Sequence, residues 1–292
     1  MMRVLLIGAS GFIGAQLCVS PPSQIELTGT YSSTKIQASD FEIIRLDILD
    51  RGLNWDNVIV GFDCIIVAAR PSGNDRVSRT KIAKETRLAF SEMVQAIERC
   101  TVPPHLVAIH GSLSYGDCSD RLVTIHEDIK PVGFAESYAI AEEPIRDYCA
   151  TGNNCAIIRA PWVLGDGSWY HELYAIPDRV PLLRGGQHWM SIVTVEGLAE
   201  FVWGVVLQAK NGVLHPRLDY RCRQRDFAQM VSKISDKKIQ KFGWVRMRAF
   251  EVQMRQSIMA SIRLDDGSNN NSESQSKSVD LIKYLRKIHD GF

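Results

Sequence analysis

The stretch SYAIAEE (137–143) sets the phenol of Tyr138 one helical turn ahead of the carboxylate of Glu142. A phenol can give or take a proton at a substrate oxygen. A cation one turn further on would favour its ionised form, and a carboxylate there opposes it. Near the N-terminus, LLIGASGFIG places Gly8, Gly11 and Gly14 directly after an apolar run. That spacing suits a phosphate. The first glycine makes a tight turn, the second lets backbone approach a pyrophosphate, and the third lets a helix pack on a strand. The amides around Ser10, Phe12 and Ile13 would then face the anion at a helix N-terminus. A third group, Trp162, Trp169, Tyr170, His171, His188 and Trp189, is rich in aromatic rings and lies in a Gly- and Pro-rich segment typical of a ligand cleft. Among these, Trp162, His171 and His188 are expected to touch substrate, with the two histidines as substitute acid/base groups. Each feature has a plain alternative: Tyr138 as an amphipathic core residue, Glu142 as a solvated helix charge, and the rings as packing under cleft loops.

These residues need elements to hold them. RVLLI, IELTGTYSS, FEIIRLDI, FDCIIVAAR, HLVAIHGS and CAIIRAPWVLG are short apolar runs, and helical stretches such as SRTKIAKETRLAFSEMVQAIERC alternate with them. Such alternation predicts a doubly wound α/β fold, a parallel sheet with helices on both faces. Residues 1–165 would form the nucleotide-binding domain, completed by about 190–210. Residues 166–189 and 211–292 would form a small C-terminal substrate lobe, with the polar stretch 264–278 as a flexible loop. The 34 basic and 33 acidic residues nearly balance, without a long basic run. That excludes the footprint of a nucleic-acid binder and leaves a small-molecule partner. Seven scattered cysteines without a C-x-x-C pair argue against a disulfide framework and against a metal site. Neither a signal peptide nor a membrane span is evident, so a soluble, cytoplasmic protein is expected.

The glycine spacing is G-x-x-G-x-x-G, and with it the chain resembles the extended or atypical short-chain dehydrogenase/reductases of the NAD(P)-dependent epimerase/dehydratase family. Further matches run in order: Asp47 in RLDILD, VAAR (67–70), HGSLSYG (110–116), IIRAPWVLG (157–165) and SIVTVEGLAEFV (191–202). The resemblance covers roughly residues 1–210. It implies a Rossmann-type domain in which Gly8, Gly11, Gly14, Asp47 and the run Ala68, Ala69 and Arg70 hold a nicotinamide cofactor. It also implies that Ser112 and Tyr138 face the substrate oxygen, and that a dimer forms through two long helices. In the family a lysine stands four residues after the tyrosine; here that position is Glu142.

An acid at the end of the second strand would bind the ribose 2'-hydroxyl of NAD. The chain instead has Ser32, Ser33 and Lys35 there, so NADP is expected rather than NAD. Members acting on nucleotide-diphosphate sugars commonly carry an arginine where this chain has Met190, which argues for a smaller carbonyl or hydroxyl compound. The expectation is an NADP-dependent oxidoreductase, epimerase or dehydratase. Its rival is a catalytically silent NADP-binding sensor or scaffold.

Overall fold

A computed structural model describes residues 1–34, 40–267 and 281–288. Lys35 and most of the stretch 264–278 lie outside the described residues. From the N-terminus, β1 (Met2–Ile7) leads through the glycine loop into α1 (Phe12–Val19). Next come β2 (Ile25–Tyr31), β3 (Glu42–Arg45), α2 (Trp55–Ile59), β4 (Cys64–Val67), α3 (Arg76–Arg99) and β5 (His105–Gly111). A 3-10 turn (Ser112–Tyr115) and β6 (Leu122–Val123) precede α4 (Ala135–Ala141), α5 (Glu143–Ala150), β7 (Cys155–Ala160) and β8 (Trp162–Leu164). A π-helical turn (His171–Ala175), β9 (Val180–Leu183), β10 (Trp189–Thr194), α6 (Val195–Leu207) and β11 (Gly212–Leu214) follow. The chain continues through β12 (Tyr220–Arg223), α7 (Gln224–Ser235), β13 (Ile239–Phe242), α8 (Trp244–Met247), α9 (Val252–Met259) and β14 (Arg263–Leu264), with a last described helix over 281–288.

The chain divides into two compact units. One comprises residues 1–110, 136–159 and 199–214, the other 111–135, 160–198 and 215–292. The first holds a seven-stranded sheet in the order β11-β7-β5-β4-β1-β2-β3. β1 pairs in parallel with β2 on one side and β4 on the other. The strand order therefore reverses direction at the β1/β4 boundary, the place where doubly wound sheets open a crevice for a ligand. β1 and β4 read as continuous apolar runs because both faces of these strands are covered, and Val4–Ile7 and Cys64–Val67 are all buried. Leu5, Ile7, Ile65 and Val67 meet Phe90, Met93 and Ile97 of α3 and Ile145 and Tyr148 of α5 in one core. Each such side chain taken out of water stabilises the fold by roughly 1.5–3 kcal/mol.

The long α3 starts where Asp75 accepts hydrogen bonds from the amides of Val77 (2.8 Å) and Ser78 (2.9 Å). Ser78 answers by accepting from the Asp75 amide at 3.1 Å, which closes a capping box. Its inward face places Arg79, Ala83, Thr86 and Phe90 in a line at helical spacing.

The second unit is built on β12-β10-β8, with the pairs β13-β9 and β14-β6. Its larger core gathers Tyr170, Tyr174, Phe227, Met190, Met247 and Leu285. Among the described residues no helix is long and apolar enough to cross a membrane.

Candidate active site

The turn after β1 needs glycine at two positions for steric reasons. Gly8 has φ +93°, and a Cβ there would lie 2.7 Å from the amide nitrogen of Ala69, just past β4. A Cβ on Gly14 would collide with the carbonyl oxygen of Gly8, so only glycine lets α1 come this close to the turn. Gly11 is the N-cap of α1 and has no side chain to satisfy the first amides of the helix. The N–H groups of Phe12 and Ile13 have no acceptor within the helix, which leaves a ready anion cradle of backbone donors. A pyrophosphate fits such a cradle. Thr30 of β2 supports the loop by accepting from the Gly8 amide at 3.0 Å.

Where β2 ends, Ser32 and Ser33 are exposed and no acid follows Tyr31 up to Thr34. Asp47, expected beside the adenine, is exposed, and its carboxylate accepts from the Leu49 amide at 3.0 Å in a local turn. Ala68 donates to the Ile7 carbonyl at 2.9 Å, and Ala69 backs onto Gly8. Both therefore wall the loop in.

Within the first unit, the exit of β4, the α3 line, the end of β5 and α4 enclose a cavity of ≈ 20 Å³. Its lining includes Ala69, Arg70, Arg79, His110, Tyr138 and Glu142. A volume of this size accommodates an ordered water. Tyr138 is half-buried, and the Arg70 guanidinium lies over its ring, 4.4 Å from the centroid.

Glu142 is the joint between α4 and α5. Its amide donates to the Tyr138 carbonyl at 3.0 Å, which preserves the one-turn spacing. Pro144 then has no N–H to donate, and the helix starts afresh. The side chain is not the solvated charge that one reading of the sequence allowed, because the residue is only 6% exposed. Its Oε2 lies 3.3 Å from His110 Nδ1 and 3.4 Å from a guanidinium nitrogen of Arg159 on β7. A buried carboxyl group must find partners: Glu142 accepts from the Arg159 guanidinium of β7 and has His110 of β5 within ion-pair distance. The cation next to Tyr138 is supplied from β4 by Arg70. Burial pushes the Glu142 carboxyl up to about 7, against the opposing pull of Arg159, Arg70 and Arg146. Burial also holds the His110 imidazole well below its ordinary value, reinforced by Arg159, Arg146 and Arg70.

The remaining expected residues belong to the second unit. Ser112 is buried and opens the 3-10 turn after β5. Trp162 on β8 packs edge-on against Trp169, centroids 4.6 Å apart. His171 is buried in the π-helical turn, its Nε2 3.4 Å from Asp166 Oδ1. His188 is buried beside Trp162, Trp169, Met190 and Gln224 around a void of ≈ 10 Å³, and burial pushes its imidazole down to about 4. Ser112 and Tyr138 therefore belong to different units, and Tyr138 gathers with Arg70. His110 and Arg159 were not singled out from the sequence. The signal for His110 was its place at the C-terminal end of an apolar strand, the edge where open α/β sheets put their ligands.

With this geometry in hand, the family is clear. Residues 4–220 match the model of the NAD dependent epimerase/dehydratase family, and the chain belongs to that family. No curated protein matches it. Similar solved structures include human epimerase family protein SDR39U1 with NADPH (15% identity, all of both chains covered, TM-score 0.75). They also include the dTDP-glucose 4,6-dehydratase DesIV from Streptomyces venezuelae with NAD (17% identity, 100% of this chain and 99% of that one, TM-score 0.74). A third is UDP-glucuronic acid 4-epimerase from Bacillus cereus with NAD (17% identity, 99% and 96% covered, TM-score 0.72).

Proposed function

We propose that this chain is an NADP-dependent oxidoreductase, epimerase or dehydratase that acts on a small carbonyl or hydroxyl compound, with Tyr138 as the group that gives or takes the proton at the substrate oxygen. One observation carries the reading: Ala69 is a shared wall, lying against Gly8 on one side and lining the cavity of Tyr138 and Arg70 on the other. When bound, the nicotinamide supplies a hydride donor or acceptor. The chain's own residues hold the pyrophosphate at the Gly8–Gly14 loop and present a phenol beneath a guanidinium. A cation over the aromatic face stabilises it by about 0.5–2 kcal/mol, which partly takes the place of the absent lysine. The preference for NADP is supported by the exposed Ser32 and Ser33 at the β2 exit, where no acid would repel a 2'-phosphate. A substrate other than a nucleotide-diphosphate sugar is supported by Met190, which is 2% exposed and packed in the second core.

Fluorescence titration with NADPH and NADH tests the cofactor, and NADPH is expected to bind at least tenfold more tightly. Failure of both to bind below millimolar concentration would overturn the proposal. NADPH oxidation across a panel of aldehydes and ketones tests the chemistry, with Tyr138→Phe expected to lose roughly 10²–10⁴ in turnover. A second reading, an NADP-binding sensor or scaffold without turnover, is favoured by the Glu142 substitution itself. Tight NADPH binding with no oxidation of any carbonyl would select it.

A further inference from the structure

We propose that Glu142 and His110 form a proton relay that reloads Tyr138 through a water held in the first unit's cavity, replacing by proton storage what the family's lysine does by charge. The inference rests on the role given to Tyr138 above. The geometry begins with the pair itself. Glu142 Oε2 lies 3.3 Å from His110 Nδ1, both residues are more than nine-tenths buried, and both line the cavity that Tyr138 lines. Nδ1 of His110 stands within ion-pair distance of the carboxyl, and neither ring nitrogen makes a hydrogen bond among the described residues. A buried ring nitrogen without a partner is costly, and a water in the cavity removes that cost.

The proton balance closes without any further reactant. When Tyr138 has given its proton to the substrate oxygen, the water gives one to the phenolate, and His110 Nε2–H replaces the proton on the water. The Glu142 carboxyl O–H passes its proton to Nδ1. The pair ends as a carboxylate beside the Nδ1–H tautomer of a neutral imidazole; a proton from solvent, taken up at Nε2 through the same water as the Nδ1 proton returns to the carboxylate, restores the starting pair. In the oxidising direction every transfer reverses. No imidazolium forms, which suits a histidine ringed by cations: Arg159 of β7, Arg146 of α5, Arg70 past β4 and Arg79 of α3, with Tyr138 of α4 on the same cavity. A carboxyl pushed up to about 7 holds the stored proton near neutral pH.

Two measurements on the full chain test this. The first is ¹⁵N NMR of the ring nitrogens of His110 from pH 5 to 9 without ligand. The proton is expected on Nε2 at low pH and on Nδ1 at high pH, with a midpoint near 7. Glu142→Gln should abolish the switch and Glu142→Asp should keep it. A single tautomer across the range would overturn the relay. The second is the pH profile of NADPH-dependent carbonyl reduction, with NADPH binding as the check that each variant is folded. Wild-type kcat should fall as pH rises through 7. Glu142→Gln should lose that limb and drop kcat roughly 10- to 100-fold, with KM little changed, and Glu142→Asp should restore the limb. If Tyr138→Phe is inactive but Glu142→Gln keeps the wild-type profile, the relay is overturned while the role of Tyr138 stands. Unchanged turnover in Tyr138→Phe would overturn both, whatever the tautomers do.

Discussion

Gly14 and Arg70 show how differently two single residues constrain the site. At Gly14 the constraint is volume. Any side chain meets the Gly8 carbonyl, and Gly14→Ala is expected to lower stability by roughly 1–3 kcal/mol or more and to remove NADPH binding. Thermal melting and a fluorescence titration read the two effects, and a melting temperature unchanged from wild type would contradict the packing argument. At Arg70 the constraint is charge. Arg70→Met keeps an unbranched stem but removes the cation 4.4 Å from the Tyr138 ring. A loss of up to about 2 kcal/mol corresponds to roughly 3- to 30-fold in kcat with little change in NADPH affinity. The two residues also differ in how readable they were. The glycine spacing states its own steric reason, so the loop was legible from ten residues. Arg70 was expected to touch cofactor, and its place over the phenol depends on how β4 and α4 meet, which no local pattern encodes.

Among the elements, β2 carries the test of the proposed NADP preference. Its exit carries Ser32 and Ser33 and no acid, so Ser33→Asp is expected to move the preference from NADPH toward NADH by at least tenfold in the ratio of Kd values. A ratio that does not move would place the 2'-position elsewhere. Strands with apolar runs and the alternation with helices made the parallel sheet legible, because burial on both faces leaves a plain hydrophobic signature in β1, β4 and β5. The α4–α5 joint was less legible. Tyr138 and Glu142 read as neighbours on one helix face, and their spacing is kept. The partners of Glu142, however, stand 32 and 17 residues away on β5 and β7. A helical wheel shows neither, so a carboxylate that looks solvated in sequence is buried in the fold.

For the whole molecule, buried titrating groups act on stability with opposite sign, Glu142 against His188 and His110. Glu142 rises from the ordinary carboxyl value to about 7 on folding. Its favourable contribution is full below pH 4.5 and is lost as pH climbs through 7, a change on the order of 3 kcal/mol. His188 falls to about 4 in the fold. Its contribution is present above pH 6.5 and is lost as pH drops toward 4, by a similar amount, on the order of 3 kcal/mol. The windows overlap between pH 4.5 and 6.5 and offset one another there, so melting temperatures from pH 4 to 9 should show a shallow maximum between mildly acidic and neutral pH. Glu142→Gln should flatten the alkaline side of that maximum, and His188→Gln should weaken the acidic side, to which His110 also contributes. A wild-type slope kept by either variant would locate that pH sensitivity in other groups. The interleaving of the two units also bears on how the chain is made. It passes from one unit to the other after residues 110, 135, 159, 198 and 214. β11 closes the large sheet beside β7, and β14 joins β6 from about 140 residues further along the chain. During synthesis the β7 edge must wait for residues 212–214 to leave the ribosome, and β6 must wait for 263–264. Neither unit can be finished as its first half emerges, so the nascent chain spends most of its synthesis with an open strand edge, the condition in which binding by a chaperone has the most to protect.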